Sequence, residues 1–439
     1  MKRFILSTLF LAALPFSVLA QGFARGADIS WYTEMEKDGK HFYNTAGQQT
    51  EINALMRECG MNAIRLRVWV DPVFGGQGKC PYASGWCGTD DTVEKALAAK
   101  AQGMDVLIDF HYSDFFADPS RQAIPTAWQG STLDELAQHV ADHTTAVLTA
   151  LKEAGVTPKW VQLGNETRNG MLYSKYNATS KNWENAAPLN PPDWGEEVTG
   201  STNANYGGGW ANYARLSNAG YDAAKAVFPD VICMSHLDTR GSDEDLSWWF
   251  TAFKNAGGKF DMIGLSHYPM PWNNGGETAA TTNGKSRNDN LMKVIVNTFK
   301  TAQVPVMIVE TGVYCEYVNG GKEVMQDLFD KCRARNYIKG VFYWEPEQYN
   351  WWKPAVYNTI GWSNYNMCGF LNNGRPAAIL DPWQPTDAER EQETGIENTL
   401  VTGSTAPSDW RSSTYDLQGR RLVQPTQGIS ISGGRKVMR

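Results

Sequence analysis

Trp160-Val161-Gln162-Leu163-Gly164-Asn165-Glu166-Thr167 is a short apolar run that ends abruptly in an amide, a carboxylic acid and a hydroxyl. Its length suits a buried strand, and the sudden polarity delivers Glu166 into a cleft. Val304-Pro305-Val306-Met307-Ile308-Val309-Glu310-Thr311-Gly312 repeats the grammar: an apolar run of strand length, then Glu, then Gly. Taken alone, either acid is read equally well as a cap on the following helix. Two in one chain favour a carboxylate pair, which retaining glycoside hydrolysis uses with carboxyl groups about 5–5.5 Å apart.

Outward from these stretches the chain alternates strand-like and helix-like segments. Gly26 to Trp31, Asn62 to Trp69 and Met104 to Phe110 read as the first three strands; Thr50 to Cys59, Asp91 to Gln102 and Leu133 to Ala154 read as helices stopped by Gly60, Gly103 and Gly155. After the Glu166 strand come helix Trp210 to Ala226, strand Val231 to His236, helix Asp243 to Ala256, strand Phe260 to Ser266 and helix Asn288 to Thr301. The Glu310 strand, helix Lys322 to Arg335 and strand Gly340 to Pro346 complete the series. Eight such units imply an α/β fold, a closed (β/α)₈ TIM barrel with long βα loops, with an open doubly wound sheet as the alternative. The Asn-, Gly-, Pro- and Trp-rich segment from Tyr173 to Gly209 exceeds ordinary loop length, and part of the binding cleft is expected there.

The expected division is an export segment at 1–20, the barrel at 21–384, a polar linker at 385–413 and a short β-rich C-terminal tail of two or three strands at 414–439. Lys2 and Arg3 precede an apolar run from Phe4 to Leu14, and Val18-Leu19-Ala20 predicts cleavage after Ala20. The protein is therefore expected to be exported, to the periplasm or beyond the cell, with no membrane span. A net charge of −7 argues against nucleic acid as a partner. Seventeen Trp, 18 Tyr and 17 Phe suit sugar rings stacked on flat apolar faces, although core packing accounts for most aromatics in any protein. Among seven Cys, Cys80 and Cys87 are spaced to close a small loop, and Cys315 and Cys368 follow the last two strands and are placed to meet. The absence of CxxC pairs and of HExxH argues against zinc.

Barrel enzymes carry function at the C-terminal ends of their strands. Asp28, Arg67, His111, Asn165, Glu166, His236, His267, Glu310 and Trp344 all fall there. Each alone is more readily a satisfied buried polar group, but a ring around one mouth is harder to explain by packing.

Ile64-Arg65-Leu66-Arg67-Val68-Trp69, Leu163-Gly164-Asn165-Glu166-Thr167-Arg168-Asn169-Gly170, Val309-Glu310-Thr311 and Phe342-Tyr343-Trp344-Glu345-Pro346 resemble glycoside hydrolase family 53, the endo-β-1,4-galactanases, over roughly residues 24–384. The resemblance implies Glu166 as acid/base and Glu310 as nucleophile of a retaining double displacement. In that scheme Asn165 donates to the sugar 2-hydroxyl, and Arg67 and Tyr268 hold Glu310 ionised. His111, His236 and Trp344 line the subsite of the cleaved sugar, Trp344 as its floor, while Trp69, Trp352 and Asp238 belong to neighbouring subsites. The implied substrate is β-1,4-galactan in pectin side chains or its oligosaccharides, and the implied state a monomer. The segment Thr311 to Glu323 is short and lacks the acidic, His-containing run that holds calcium in some bacterial members, so neither cofactor nor metal is expected. The alternatives left open are another retaining glycanase of the same clan, acting on mannan or glucan, and a catalytically silent sugar-binding barrel.

Overall fold

The computed structural model describes residues 22–72, 85–177, 182–185, 209–239, 244–273 and 275–392, and four short strands near the C-terminus. The expected export segment, Cys80 and most of the Tyr173 to Gly209 segment lie outside the described residues. The chain divides into two compact units, Met1–Gln384 and Pro385–Arg439.

In the first unit eight strands close a barrel: β1 (Ala24–Asp28), β2 (Ala63–Val68), β3 (Asp105–Phe110), β4 (Trp160–Leu163), β5 (Ile232–Asp238), β6 (Met262–Met270), β7 (Val306–Val313) and β8 (Ile338–Trp344). Every neighbouring pair is parallel, and β8 returns to β1 in register from Ala24↔Gly340 to Asp28↔Trp344. That seam is tight, since a Cβ on Gly340 would lie 2.5 Å from the Ala24 carbonyl oxygen. Around the strands run α1 (Tyr32–Lys37), α2 (Ile52–Glu58), α3 (Thr89–Ala101), α4 (Leu133–Glu153), α5 (Trp210–Val227), α6 (Ser247–Asn255), α7 (Glu277–Ala302), α8 (Val318–Arg333) and α9 (Ala355–Ile360). The start of α4 is set locally: Thr132 accepts from the Glu135 N–H and Glu135 reaches back to the Thr132 N–H, a reciprocal cap. After β8 a 3₁₀ turn, Ala378–Trp383, packs on α8, with Trp383 donating 2.8 Å to the Gly26 carbonyl.

The closed barrel is the expected architecture, and the differences are local. Helix α7 starts at Glu277 rather than Asn288, through a stretch of weak helix formers. Tertiary contact overrides propensity there, because Gly284 lets α7 approach α8 so closely that a Cβ would sit 2.8 Å from Val324. Within the expected long loop, Ser174–Asn177 and Asn182–Asn185 pair as a two-stranded antiparallel ribbon. No helix among the described residues is long and apolar enough to cross a membrane. Cys87 is a free thiol, and Cys315 and Cys368 are free thiols near enough to shift each other's pKa.

The second unit contains β9 (Thr414–Tyr415), β10 (Arg421–Leu422), β11 (Ile429–Ser432) and β12 (Arg435–Met438), an antiparallel sheet in the order β10-β9-β11-β12. This is four strands where two or three are expected. Residues 387–392, within the expected linker, are helical and capped by Thr386.

The barrel lumen has two storeys. Ala24, Ala63, Leu107, Trp160, Met234, Met262, Met307, Val309 and Phe342 form a separate apolar plug inside it. Alternation along each strand then lifts the next inward residues, among them Arg65, Asp109, Gln162 and His236, above that plug as a polar tier.

Candidate active site

Arg65 is the centre of this polar tier. It is fully buried, and its guanidinium contacts Asp28 at 2.7 Å, Asp109 at 2.8 Å, Glu310 at 2.8 Å and Asn165 Oδ1 at 2.9 Å. One cation thus serves three buried carboxylates, a geometry that the planar five-donor fork allows and an ammonium does not. Burial pushes Asp109 up, but Arg65 and then His111 bring it below its ordinary value. His111 Nδ1 accepts from the Ala117 N–H at 2.9 Å, so Nε2 carries the proton and donates to Asp109 at 2.9 Å.

Glu310, at the mouth end of β7, receives Arg65 on Oε1 and the hydroxyls of Tyr268 (3.0 Å) and Ser266 (3.1 Å) on Oε2. Burial raises its pKa, and Arg65 pulls it back. Glu166 follows Gly164, whose φ of 89° turns the chain sharply out of β4, and itself holds a left-handed backbone at φ 48°, ψ 51°. A non-glycine residue in that region costs about 1–3 kcal/mol and persists only where its surroundings impose it. They do so here: the Glu166 N–H donates to His236 Nδ1 at 3.1 Å, and Gln122 donates to the Asn165 carbonyl at 2.8 Å. Burial, then the charge of Glu310, then that of Asp238 lift the Glu166 carboxyl well above the usual carboxylate range. The two acids are therefore unequal, and Glu310, with its three donors, releases its proton first.

One oxygen of each acid and a ring nitrogen of His236 lie within 4.8 Å of one another. Among the described residues this is the group with metal-ligand spacing, yet His236 Nδ1 is already occupied by the Glu166 N–H and Arg65 sits 2.8 Å from Glu310, which disfavours a cation. The acids open onto a cavity of about 530 Å³ whose inner part is lined by His111, Asn165, Tyr268 and Trp344. Its outer wall includes Phe116, Tyr357 and Trp362, with the Arg121 guanidinium 4.4 Å above the Trp362 ring and paired to Asp118 at 2.9 Å. Asn165 Nδ2 gives one N–H to the Ala117 carbonyl at 2.8 Å and has a second to offer a ligand.

Six of the expected site residues, Glu166, Glu310, Asn165, His111, Tyr268 and Trp344, line this cavity together. Others lie behind it. Arg67 does not hold Glu310; it pairs with Glu345 and lies 3.7 Å from Asp28, and the expected partner role belongs to Arg65. Both arginines face inward by strand alternation, and the tilt of the barrel decides which is level with Glu310. His267 faces outward to Asn288 on α7 at 2.9 Å, because Ser266 and Tyr268 on either side face in. Asp28 is fully buried beneath the mouth with Ser30 and Arg65. His236 is also fully buried, one layer below the cavity wall. Trp69 packs against Phe115 and Phe116, and Trp352 donates to Asp38 at 2.9 Å and lies against Trp31, so neither lines the cavity. Asp238 is half-buried, close enough to Glu166 to raise its pKa, and its carbonyl accepts from Arg168. Arg65, Asp109, Gln162 and Ser266 are further residues of the tier that no catalytic motif marks, although period-two alternation places each on an inward face; Gln122, in a long loop, carries no such signal.

Residues 24–380 match the profile of glycosyl hydrolase family 53. An arabinogalactan endo-β-1,4-galactanase of Thermothelomyces thermophilus is 31% identical over 346 residues, 73% of this chain and 89% of that protein. An endo-β-1,4-galactanase of Bacillus subtilis is 26% identical over 352 residues, covering 74% and 70%. A solved fungal β-1,4-galactanase superposes with a TM-score of 0.61 at 26% identity, covering 82% of this chain and 98% of that one.

Proposed function

The chain belongs to glycosyl hydrolase family 53, and from that membership we propose that it is an exported endo-β-1,4-galactanase cleaving galactan side chains of pectin by double displacement with retention. The observation that carries this reading is the pairing of Glu166 and Glu310, with oxygens within 4.8 Å and unequal proton affinities. Retaining enzymes keep their carboxyls about 5–5.5 Å apart and inverting enzymes about 6.5–9.5 Å, so the spacing supports retention. The choice of galactan rests on what the similar proteins are named for; the carboxylates themselves argue for β-glycosidic chemistry.

In the first step Glu310 attacks the anomeric carbon while Glu166 gives its proton to the departing glycosidic oxygen. Arg65, Tyr268 and Ser266 keep Glu310 ionised and aimed. Asn165 holds the sugar 2-hydroxyl with its remaining N–H, a bond that tightens as positive charge develops on the ring. Trp344 provides a flat apolar face under the sugar, and His111 a polar edge. Once Glu310 is esterified its charge is gone, the pKa of Glu166 falls, and Glu166 takes a proton from water to complete hydrolysis. Export rests on the charged and apolar N-terminal sequence.

The test is product analysis on linear β-1,4-galactan, with mannan and glucan in parallel, following anomer configuration by NMR over the first minutes. Retention predicts the β-anomer first. Appearance of the α-anomer first would refute double displacement, and faster release from mannan or glucan would refute the galactan assignment.

A further inference from the structure

A hydrogen-bond chain runs from the backbone of one acid to the side chain of the other, and its direction is fixed by chemistry. The Glu166 N–H can only donate, so His236 Nδ1, 3.1 Å away, must present a lone pair. The Gln162 amide nitrogen reaches the same ring nitrogen at 2.9 Å and agrees with that assignment, while Asn165 Oδ1, 3.1 Å from it, takes its protons from Arg65 and Gln162 instead. Burial keeps the imidazole neutral, with its pKa far below the ordinary value. The ring proton is therefore on Nε2, which donates to Ser266 Oγ at 2.9 Å. With that bond accepted, the Ser266 hydroxyl proton is free to point elsewhere: Glu310 Oε2 lies 3.1 Å away, and the hydroxyl is near enough to the Glu166 carboxyl to lower its pKa.

We propose that Ser266 is a positioning residue whose hydroxyl serves the two acids in turn, donating to Glu310 in the free enzyme and swinging to Glu166 once Glu310 carries the sugar. This rests on the double-displacement reading above. The hydroxyl keeps its proton throughout; only the acceptor changes, because a hydrogen bond to a carboxylate is roughly twice as strong as one to a neutral acceptor. In the free enzyme the charge is on Glu310. In the glycosyl-enzyme the ester has removed that charge, and Glu166 is the carboxylate. Each form is thereby ionised when its step requires it, as attacking group first and as base second. Arg65 and Tyr268 hydrogen-bond Glu310, and Ser266, which bonds Glu310 and also lowers the Glu166 pKa, is the donor placed to follow the charge. The other charged groups acting on the pair are Asp238 and Asp118 toward Glu166 and Asp28 and Asp109 toward Glu310, and none of them is altered by a change at Ser266.

The experiment compares pH profiles of wild type, Ser266→Ala and Ser266→Thr. For kcat/KM the substrate is a β-1,4-galacto-oligosaccharide, which reports the free enzyme. For kcat it is an aryl β-1,4-galactobioside with a good leaving group, which makes breakdown of the glycosyl-enzyme limiting. Loss of the donor moves the acid limb of both profiles upward by about one pH unit, and Ser266→Thr, which keeps a hydroxyl, returns both. Ser266→Cys, a poorer donor of similar size, moves both limbs the same way by less, and supplies the measurement if the alanine variant does not fold. A shift in kcat/KM alone means that Ser266 serves only Glu310 and overturns the proposal. A fall in rate with unmoved limbs does the same, since that is what a merely structural role produces. No turnover of either substrate by wild type would instead overturn the galactanase reading.

Discussion

Replacing Arg65 by Met removes the cation at the centre of the site while roughly keeping its volume. Arg65 is fully buried and within 2.8 Å of Asp28, Asp109 and Glu310. With charge centres about 4 Å apart and an effective dielectric of about 20, each contact is worth about 4 kcal/mol before desolvation is counted. Breaking a buried pair by removing one partner costs a net 3–5 kcal/mol or so. Spread over a barrel of about 360 residues, with an unfolding entropy of about 2.1 cal/mol/K per residue, that lowers Tm by about 5 °C. The loss depends on pH with a definite sign. Without Arg65 the folded-state pKa of Asp109, now lowered, rises above its unfolded value and that of Glu310, already above, rises further, so the folded state binds more protons. The deficit is then largest at pH 7.5 and shrinks as pH falls through the raised values. Glu310, less readily ionised and no longer held at Oε1, attacks poorly, and kcat/KM at pH 6 drops by about 10²-fold or more. Calorimetry at pH 7.5 and pH 5, with kcat/KM on galactan, measures both effects. A variant within tenfold of wild-type kcat/KM and with an unchanged Tm would show that Arg65 neither holds Glu310 nor balances the tier.

The remaining expectations concern the acids and one half-buried histidine. Glu310→Gln loses turnover by about 10³-fold or more with binding retained, whereas Glu166→Ala is less impaired on substrates with good leaving groups and regains rate with added azide. Equal loss on all substrates by the Glu166 variant, or near-normal rate in the Glu310 variant, contradicts the assigned roles. The kcat/KM profile should be a bell: activity is lost as pH falls through the Glu310 pKa, above the ordinary 4.5, and again as pH rises through that of Glu166, which is higher still. Glu166→Gln, assayed on an activated aryl substrate, should lose the basic limb, and a basic limb that persists counts against Glu166 as the acid. His143 lies among Phe110, Tyr112 and Trp128, its Nε2 has no hydrogen-bond partner among the described residues, and burial lowers its pKa to about 4. A depressed histidine destabilises the fold as pH falls from about 6.5 toward 4, so His143→Phe should gain about 2 kcal/mol at pH 5 relative to its effect at pH 7.5. Urea midpoints at the two pH values decide this, and equal differences at both would refute it.

The sequence by itself determined the repeat and the two acids. Apolar runs such as Val304 to Val309, separated by helical stretches with stop signals, have few stable solutions besides a closed parallel barrel, because strands buried on both faces need helices outside and one another inside. An acid ending such a run has to point at something other than a core, which made Glu166 and Glu310 legible. Local rules also mark which residues face inward, but they do not say how strands far apart in the chain are staggered around the barrel. Tertiary structure alone decided that Arg65 rather than Arg67 meets Glu310, and that Glu345 takes Arg67 instead. It also decided that His267 faces α7 while its neighbours face the cleft, and that Gln122, far off in a loop, steadies the backbone at Asn165. Side-chain partners across a barrel depend on tilt and shear, which belong to all eight strands at once and to no single stretch of sequence.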